Sequence, residues 1–278
     1  MNDIERAVAR HYGETDLLVR ILDALEAVGA QTEQLGPDDL APVEEFHIGG
    51  RKATARAVEK MRLHPDQHVL DVGCGIGGAA RYIAGATGCK VTAIDLTPEY
   101  ISVARELTDL TGLSANVSFD VSNAMAMPFG EACFDAALTL HVAMNIRDRN
   151  ALYREVARVL RPGAVFYLFD VMKKSDEPLT FPVPWAASGE TSFLTTPDET
   201  RALLEDAGFE VTQVEDRTGF ALEFFEQIGS AAGNPPSALG IHLLMGESAS
   251  ERLGNVVTNI RSGRIAPVEM LARRTALS

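Results

Sequence analysis

The chain has 278 residues with 25 basic and 39 acidic side chains, which gives a formal net charge of −14 and a pI near 4.9. That balance argues against a nucleic-acid partner, which needs a dense basic surface, and against docking on anionic lipid. At 46% hydrophobic residues the chain can bury a full core. Disorder as the main state is therefore excluded, and the length suits one large α/β domain, alone or with an inserted or added cap.

No apolar run approaches the roughly 20 residues that span a bilayer. The opening Met1-Asn2-Asp3-Ile4-Glu5-Arg6 lacks the basic and apolar regions of a secretory signal. Cys74, Cys89 and Cys133 have no metal-ligand spacing, so no metal site is predicted, and they read as reduced core thiols of a cytoplasmic protein.

In chain order, Leu17, Leu18, Ile21, Leu22, Leu25 and Val28 recur at helical spacing, so residues 1–30 read as one or two helices. Residues 36–42 are rich in breakers and read as a loop. Asp38, Asp39, Glu44 and Glu45 read as a mostly solvated charge run. A helix is predicted at about 52–61. From residue 68 the pattern alternates: strands at 69–72, 91–94, 117–119, 134–140 and 165–171, helices at 79–86, 98–111 and 150–160. Pro98 suits a first helical turn behind Thr97, and Arg161-Pro162-Gly163 stops a helix ahead of the fifth strand.

Alternating units of this length imply a parallel, doubly wound sheet. Further on, a helix at 197–207 capped by Thr196, a strand at 209–214, helices at 220–228 and 248–262 and a strand at 268–273 bring the strands to seven. The long crossing segment before the last strand allows it to insert antiparallel. The expected layout is an N-terminal helical segment over 1–64 that closes on the rest, then a nucleotide-binding domain over 65–278 with a helical insertion at about 218–265.

The densest signal is Val69-Leu70-Asp71-Val72-Gly73-Cys74-Gly75-Ile76-Gly77-Gly78. Gly73, Gly75 and Gly78 form a G-x-G-x-x-G turn between a strand and a helix, where the backbone can approach a ligand without a Cβ in the way. The next strand ends in Asp95, placed to accept hydrogen bonds from both ribose hydroxyls. A nicotinamide-binding fold usually carries an apolar residue two before the first glycine; here Asp71 stands there. A carboxylate repels phosphate oxygens and suits a ligand with an amino group, such as S-adenosylmethionine (SAM).

With these residues the chain resembles the class I SAM-dependent methyltransferases. The matching motifs are Asp71-Val72-Gly73-Cys74-Gly75, Asp95, the run from Asn123 to Phe129, and Leu160-Arg161-Pro162-Gly163. Where the family commonly has an adenine-binding Asp, this chain has Asn123, whose amide oxygen accepts the same bond. Ala164 replaces a second turn glycine. A narrower resemblance, to the sarcosine/dimethylglycine N-methyltransferases and their relatives, rests on the runs from Glu45 to Thr54, His141 to Ile146, Phe181 to Trp185 and Ile241 to Gly246.

The resemblance implies a doubly wound, Rossmann-like seven-stranded α/β sheet, SAM as cofactor, S-adenosylhomocysteine as product and a small-molecule acceptor. It places Tyr12, Asp71, Gly73, Cys74, Gly75, Gly78, Asp95, Leu96, Asn123, Ala124 and His141 at the cofactor. Trp185, Asn145 and His242 are assigned to the acceptor pocket, with His141 and His47 as candidate bases. Each histidine has an alternative reading as a hydrogen-bonded structural side chain, and Trp185 as plain core. Met125, Met127, Met144 and Met245 read as core fillers. Arg51, Arg81 and Arg147 are the candidates for an acceptor carboxylate. The expected acceptor is an amine nitrogen. The alternatives are O- or C-methylation of a secondary metabolite, a NAD-dependent oxidoreductase, and a SAM-binding module without turnover.

Overall fold

The computed structural model describes residues 17–30, 35–231 and 237–276. Its centre is a seven-stranded sheet in the order β3-β2-β1-β4-β5-β7-β6. The first five strands are β1 (His68–Val72), β2 (Lys90–Asp95), β3 (Val117–Val121), β4 (Phe134–Leu140) and β5 (Leu160–Lys173), all parallel. Their sequences are near-continuous apolar runs because helices cover both faces. One core cluster gathers Leu70, Val72, Phe166 and Leu168 with Leu152 and Val156 of α6 (Arg149–Val159). The other gathers Val69, Val91, Tyr167 and Phe169 with residues of α3 (Gly50–Met61), α4 (Gly78–Thr87) and α5 (Pro98–Leu110).

After α7 (Pro197–Asp206) and β6 (Phe209–Asp216), the chain makes α8 (Thr218–Ala231), the short α9 (His242–Met245) and α10 (Ala249–Arg261). It then returns as β7 (Ile265–Arg274), antiparallel between β5 and β6. The expected antiparallel last strand is thus present, and it is longer than predicted. Pro267, near its start, has no N–H to give, and its carbonyl accepts the Arg217 N–H at 2.8 Å. α8 and α10 pack on Ile48, Met144, Val183 and Trp185, forming a cover over one end of the sheet.

The N-terminal side differs from the sequence reading in one element. Residues 36–42 are not a loop: α2 spans Pro37–Glu44. Pro37 supplies a pre-set first turn, and the Asp39 carboxylate accepts the Gly36 N–H at 2.8 Å. α2 and α1 (Leu17–Ala27) bury Leu17, Ile21, Leu25, Leu40 and Val43 against Tyr100, Val103 and Leu107 of α5 and Leu244 of α9. The acidic run divides accordingly. Asp38 and Asp39 are exposed as predicted, whereas Glu44 and Glu45 are buried.

Among the described residues no helix is long and apolar enough to cross a membrane, and no group of three metal-ligating side chains gathers. Cys74 and Cys89 are buried, and Cys133 is half-buried.

Candidate active site

The strand order reverses between β1 and β4, and the crevice beyond their carboxyl ends is where such sheets bind ligands. A cavity of about 310 Å³ opens there. The glycine turn forms its floor. The Gly73 and Cys74 N–H groups both donate to the Ile94 carbonyl, at 2.8 and 2.9 Å, which folds the chain over the end of β2. Gly73 has φ +79, and a Cβ there would meet a Val142 methyl at 2.4 Å. Gly75 has φ +54, and a Cβ there would meet nothing within 4 Å; it lines the cavity.

Gly78 has a different task. A Cβ on it would lie 2.7 Å from Glu44 Cγ and 2.9 Å from the Glu44 carbonyl oxygen. It therefore does not line the cavity but lets the N-terminal segment dock on α4. Arg81, one turn later and fully buried, locks that contact. Its guanidinium donates to Glu44 Oε2 at 2.5 Å, the Ile76 carbonyl at 2.7 Å and Thr108 Oγ1 at 2.9 Å. Arg51 joins Glu44 and Glu45 at 2.9 and 3.0 Å. Two of the three arginines considered for an acceptor carboxylate are thus committed to these glutamates. Arg147 lies at the cavity, stacked over Phe193.

Asp95 holds the turn while facing the cavity. Its Oδ2 accepts the Gly75 N–H and its Oδ1 the Thr97 N–H, both at 2.9 Å, and burial raises its pKa. Asp71 is buried, and its Oδ2 has no hydrogen-bond partner. Burial first, then the charges of Asp95 and Glu45, pushes its pKa up to about 7. Asn123 Oδ1 accepts the Met125 N–H at 2.9 Å, and Cys74, Leu96, Ala124 and Asn145 also line the cavity.

His141 follows β4 with φ +58. Its N–H and its Nδ1 both reach the Phe169 carbonyl, at 2.7 and 3.1 Å. A carbonyl only accepts, so Nδ1 carries the hydrogen and Nε2 the lone pair, toward which the Ile48 N–H points at 3.4 Å. His47 stands with its ring 6.0 Å from that of His141, its Nε2 3.2 Å from Thr54 Oγ1. Burial lowers His47 to about 4, and burial plus the neighbouring His47 lowers His141 to about 3. Both imidazoles are neutral at physiological pH.

Phe46, His47, His141 and Trp185 also line a second cavity of about 40 Å³. The Trp185 indole N–H donates to Ser192 Oγ at 3.0 Å. Asn145 buttresses this wall, giving its amide hydrogens to the Trp185 and Thr191 carbonyls at 2.7 and 3.1 Å. His242 is exposed on α9 and lines neither cavity; Leu244 and Ile241 face inward instead. Of the methionines, Met127 and Met144 are core, while Met125 lines the cavity. Tyr12 lies outside the described residues. Sequence reasoning missed Glu44, Glu45, Phe46 and Tyr100, all at the cavity, and the role of Arg81.

A glycine turn, an acid at the end of β2 and a buried carboxylate with one unpartnered oxygen meet at the switch point of a Rossmann-like sheet. Comparison with known proteins agrees. A family model described as a methyltransferase domain matches residues 70–168. An O-methyltransferase of Pyrenophora dematioidea is 29% identical over 209 residues, which cover 75% of this chain and 76% of that one. A sarcosine/dimethylglycine N-methyltransferase of Halorhodospira halochloris is 32% identical over 188 residues, covering 63% of this chain and 67% of its own. Among solved structures, the geranyl diphosphate C-methyltransferase of Streptomyces coelicolor A3(2), in complex with Mg2+, geranyl diphosphate and S-adenosyl-L-homocysteine, matches with a TM-score of 0.69 at 16% identity over 99% of both chains. The chain belongs to the SAM-dependent methyltransferases. Its relatives are named for N-, O- and C-methylation, so the family fixes the cofactor and leaves the acceptor open.

Proposed function

We propose that the chain methylates a small molecule held beside the partition formed by Phe46, His47 and His141, with SAM in the larger cavity. The observation that carries this reading is Asp71. Its orphaned Oδ2, close enough to Asp95 and Glu45 to feel both charges, favours a cation in the cavity and disfavours a pyrophosphate. Asp71 is thus assigned to the cofactor's ammonium and Asp95 to its ribose hydroxyls. Asn123, Leu96 and Ala124, which line the cavity, are assigned to adenine. α1 and α2 act as a lid held by Glu44 and Arg81.

When bound, the cofactor supplies a methyl group made electrophilic by a sulfonium. The chain's own residues then have to position an acceptor lone pair and exclude water. Phe46 and the lid do the excluding. Neutral His141 accepts a hydrogen bond from the acceptor through Nε2, and neutral His47 packs beside it. With pKa values near 3 and 4 they do not take a proton from an unreacted ammonium or phenol, which hold theirs far more tightly. Calorimetry with S-adenosylhomocysteine, SAM and NAD tests the cofactor assignment. Heat with the first two and none with NAD is expected. NAD binding without SAM binding would refute it.

A further inference from the structure

The second cavity has a lining that methyl transfer alone does not require. Phe46, Ile48, Trp185, Phe224, Phe225 and Leu253 contribute most of its wall. The remaining lining residues are aliphatic, apart from His47 and His141, and none carries a formal charge. Its polar neighbours are occupied: the Trp185 N–H by Ser192, and the Asn145 amide hydrogens by two carbonyls. His141 Nε2 is weakly engaged, a lone pair receiving a long 3.4 Å contact from the Ile48 N–H. A buried anion here would face that lone pair with no cation lining the cavity, at a cost of several kcal/mol. A neutral O–H donor meets the opposite situation, an apolar wall and a weakly engaged acceptor.

We propose that the second cavity seats the reactive end of the methyl acceptor, and that this end is an uncharged aromatic or enolic hydroxyl donating to His141 Nε2. The inference rests on the methyltransferase reading above. It narrows the acceptor away from amino-acid amines, whose carboxylate has no partner among the lining residues. In the transfer, an oxygen lone pair forms the O–CH₃ bond while the electron pair of the breaking C–S bond stays on sulfur. The hydroxyl proton, now on a strongly acidic oxonium, passes to His141 Nε2 and on to water. An imidazole with a depressed pKa is adequate for this late transfer, because the proton leaves a far stronger acid. At about 40 Å³ the cavity is smaller than the roughly 150 Å³ that takes a benzene ring. Seating a ring there requires the side chains of Phe224 and Phe225, half-buried on α8, to give way.

Trp185 is the only tryptophan of the chain and lines this cavity, so its emission reports occupancy without turnover. The experiment uses the full chain saturated with S-adenosylhomocysteine. The probes are 1-naphthol and resorcinol as uncharged hydroxyls, and sarcosine and dimethylglycine as charged amines. Binding is read by calorimetry and Trp185 emission, and turnover by release of S-adenosylhomocysteine from SAM. Expected are binding and an emission change with an uncharged hydroxyl and none with the amines. Phe225→Glu and, independently, Leu253→Glu should weaken that binding about tenfold or more while leaving S-adenosylhomocysteine affinity within about twofold. Binding and turnover of the amines alone would overturn the proposal. So would a response to neither class, or hydroxyl binding indifferent to both variants. Failure of the methyltransferase reading itself would show separately, as loss of S-adenosylhomocysteine binding by the unaltered chain.

Discussion

Asp71 makes cofactor affinity depend on pH in a way that can be worked out in advance. In the free protein its carboxyl titrates at about 7, because burial and the charges of Asp95 and Glu45 oppose ionisation. Beside the cofactor's ammonium the ionised form is favoured, so the bound-state pKa falls toward the ordinary carboxylate value near 4. The free state therefore binds more protons than the complex below pH 7, and binding must expel one. Affinity is flat above pH 7 and weakens about tenfold per unit below it. Between pH 7.5 and 5.5 the dissociation constant of S-adenosylhomocysteine should rise about 25-fold, which is about 2 kcal/mol. His47 and His141, near 4 and 3, stay neutral through this range. Asp95, Glu44 and Glu45 also have raised values, so the assignment to Asp71 needs a variant. Calorimetry in buffers of different ionisation enthalpy counts the released proton, and Asp71→Asn should bind weakly and without the slope. A pH-independent affinity with no proton release, or an unchanged slope in Asp71→Asn, would refute the reasoning.

Three further outcomes are expected. Gly75→Val should abolish S-adenosylhomocysteine binding measured by calorimetry while leaving the circular dichroism spectrum unchanged. Its backbone sits at φ +54 and its side chain would project into the open cavity. Gly78→Ala should lower the melting temperature and expose residues 35–50 to protease, since the added methyl meets the Glu44 carbonyl oxygen at 2.9 Å, at a cost of about 1–3 kcal/mol. Activity should survive chelators, because methyl transfer from a sulfonium needs no Lewis acid; loss in EDTA restored by magnesium would contradict this.

The parts of the site legible in the sequence are those fixed by local order. Gly73, Gly75 and Asp95 are read from a strand, a turn, a helix and a strand in succession, and Asp71 from its place two residues before the turn. The antiparallel β7 follows from a crossing segment long enough to reverse the chain. What was not legible depends on distant partners. Glu44 and Glu45 stand beside breakers and look solvated, yet the partner that buries Glu44 is Arg81, 37 residues away. The breakers of residues 36–42 suggested a loop where Pro37 and Asp39 start a short helix. Gly78 was recognised as the third glycine, but its reason is the Glu44 backbone rather than the ligand. His242 shares a four-residue helix with Leu244, too short for periodicity to say which side faces in. The pairing of His47 with His141 joins segments 93 residues apart in their Ile48 contact.

The same physics that makes Asp71 useful makes it a burden on the fold, and that gives a second reading of Asp71→Asn. The folded-state pKa, about 7, lies above the unfolded value near 3.9. Below pH 4 the carboxyl is protonated in both states and costs nothing. As pH rises toward 7 the unfolded chain ionises while the folded one resists, so stability is lost progressively and the loss levels off above pH 7. The gap of about three pKa units sets an upper bound of about 4 kcal/mol. Asparagine keeps the amide oxygen that accepts from the Ala80 backbone N–H and removes the charge. The cofactor-free variant should therefore melt higher than the unaltered chain at pH 8, with the difference shrinking toward pH 4, while binding S-adenosylhomocysteine more weakly. Such opposed changes are expected where a buried charge is kept for a cationic ligand rather than for the fold. Differential scanning calorimetry at pH 8, 6 and 4 measures the trend. A variant destabilised equally at all three would mean that the Asp71 charge is already compensated within the protein, and the case for a cation beside it would fall.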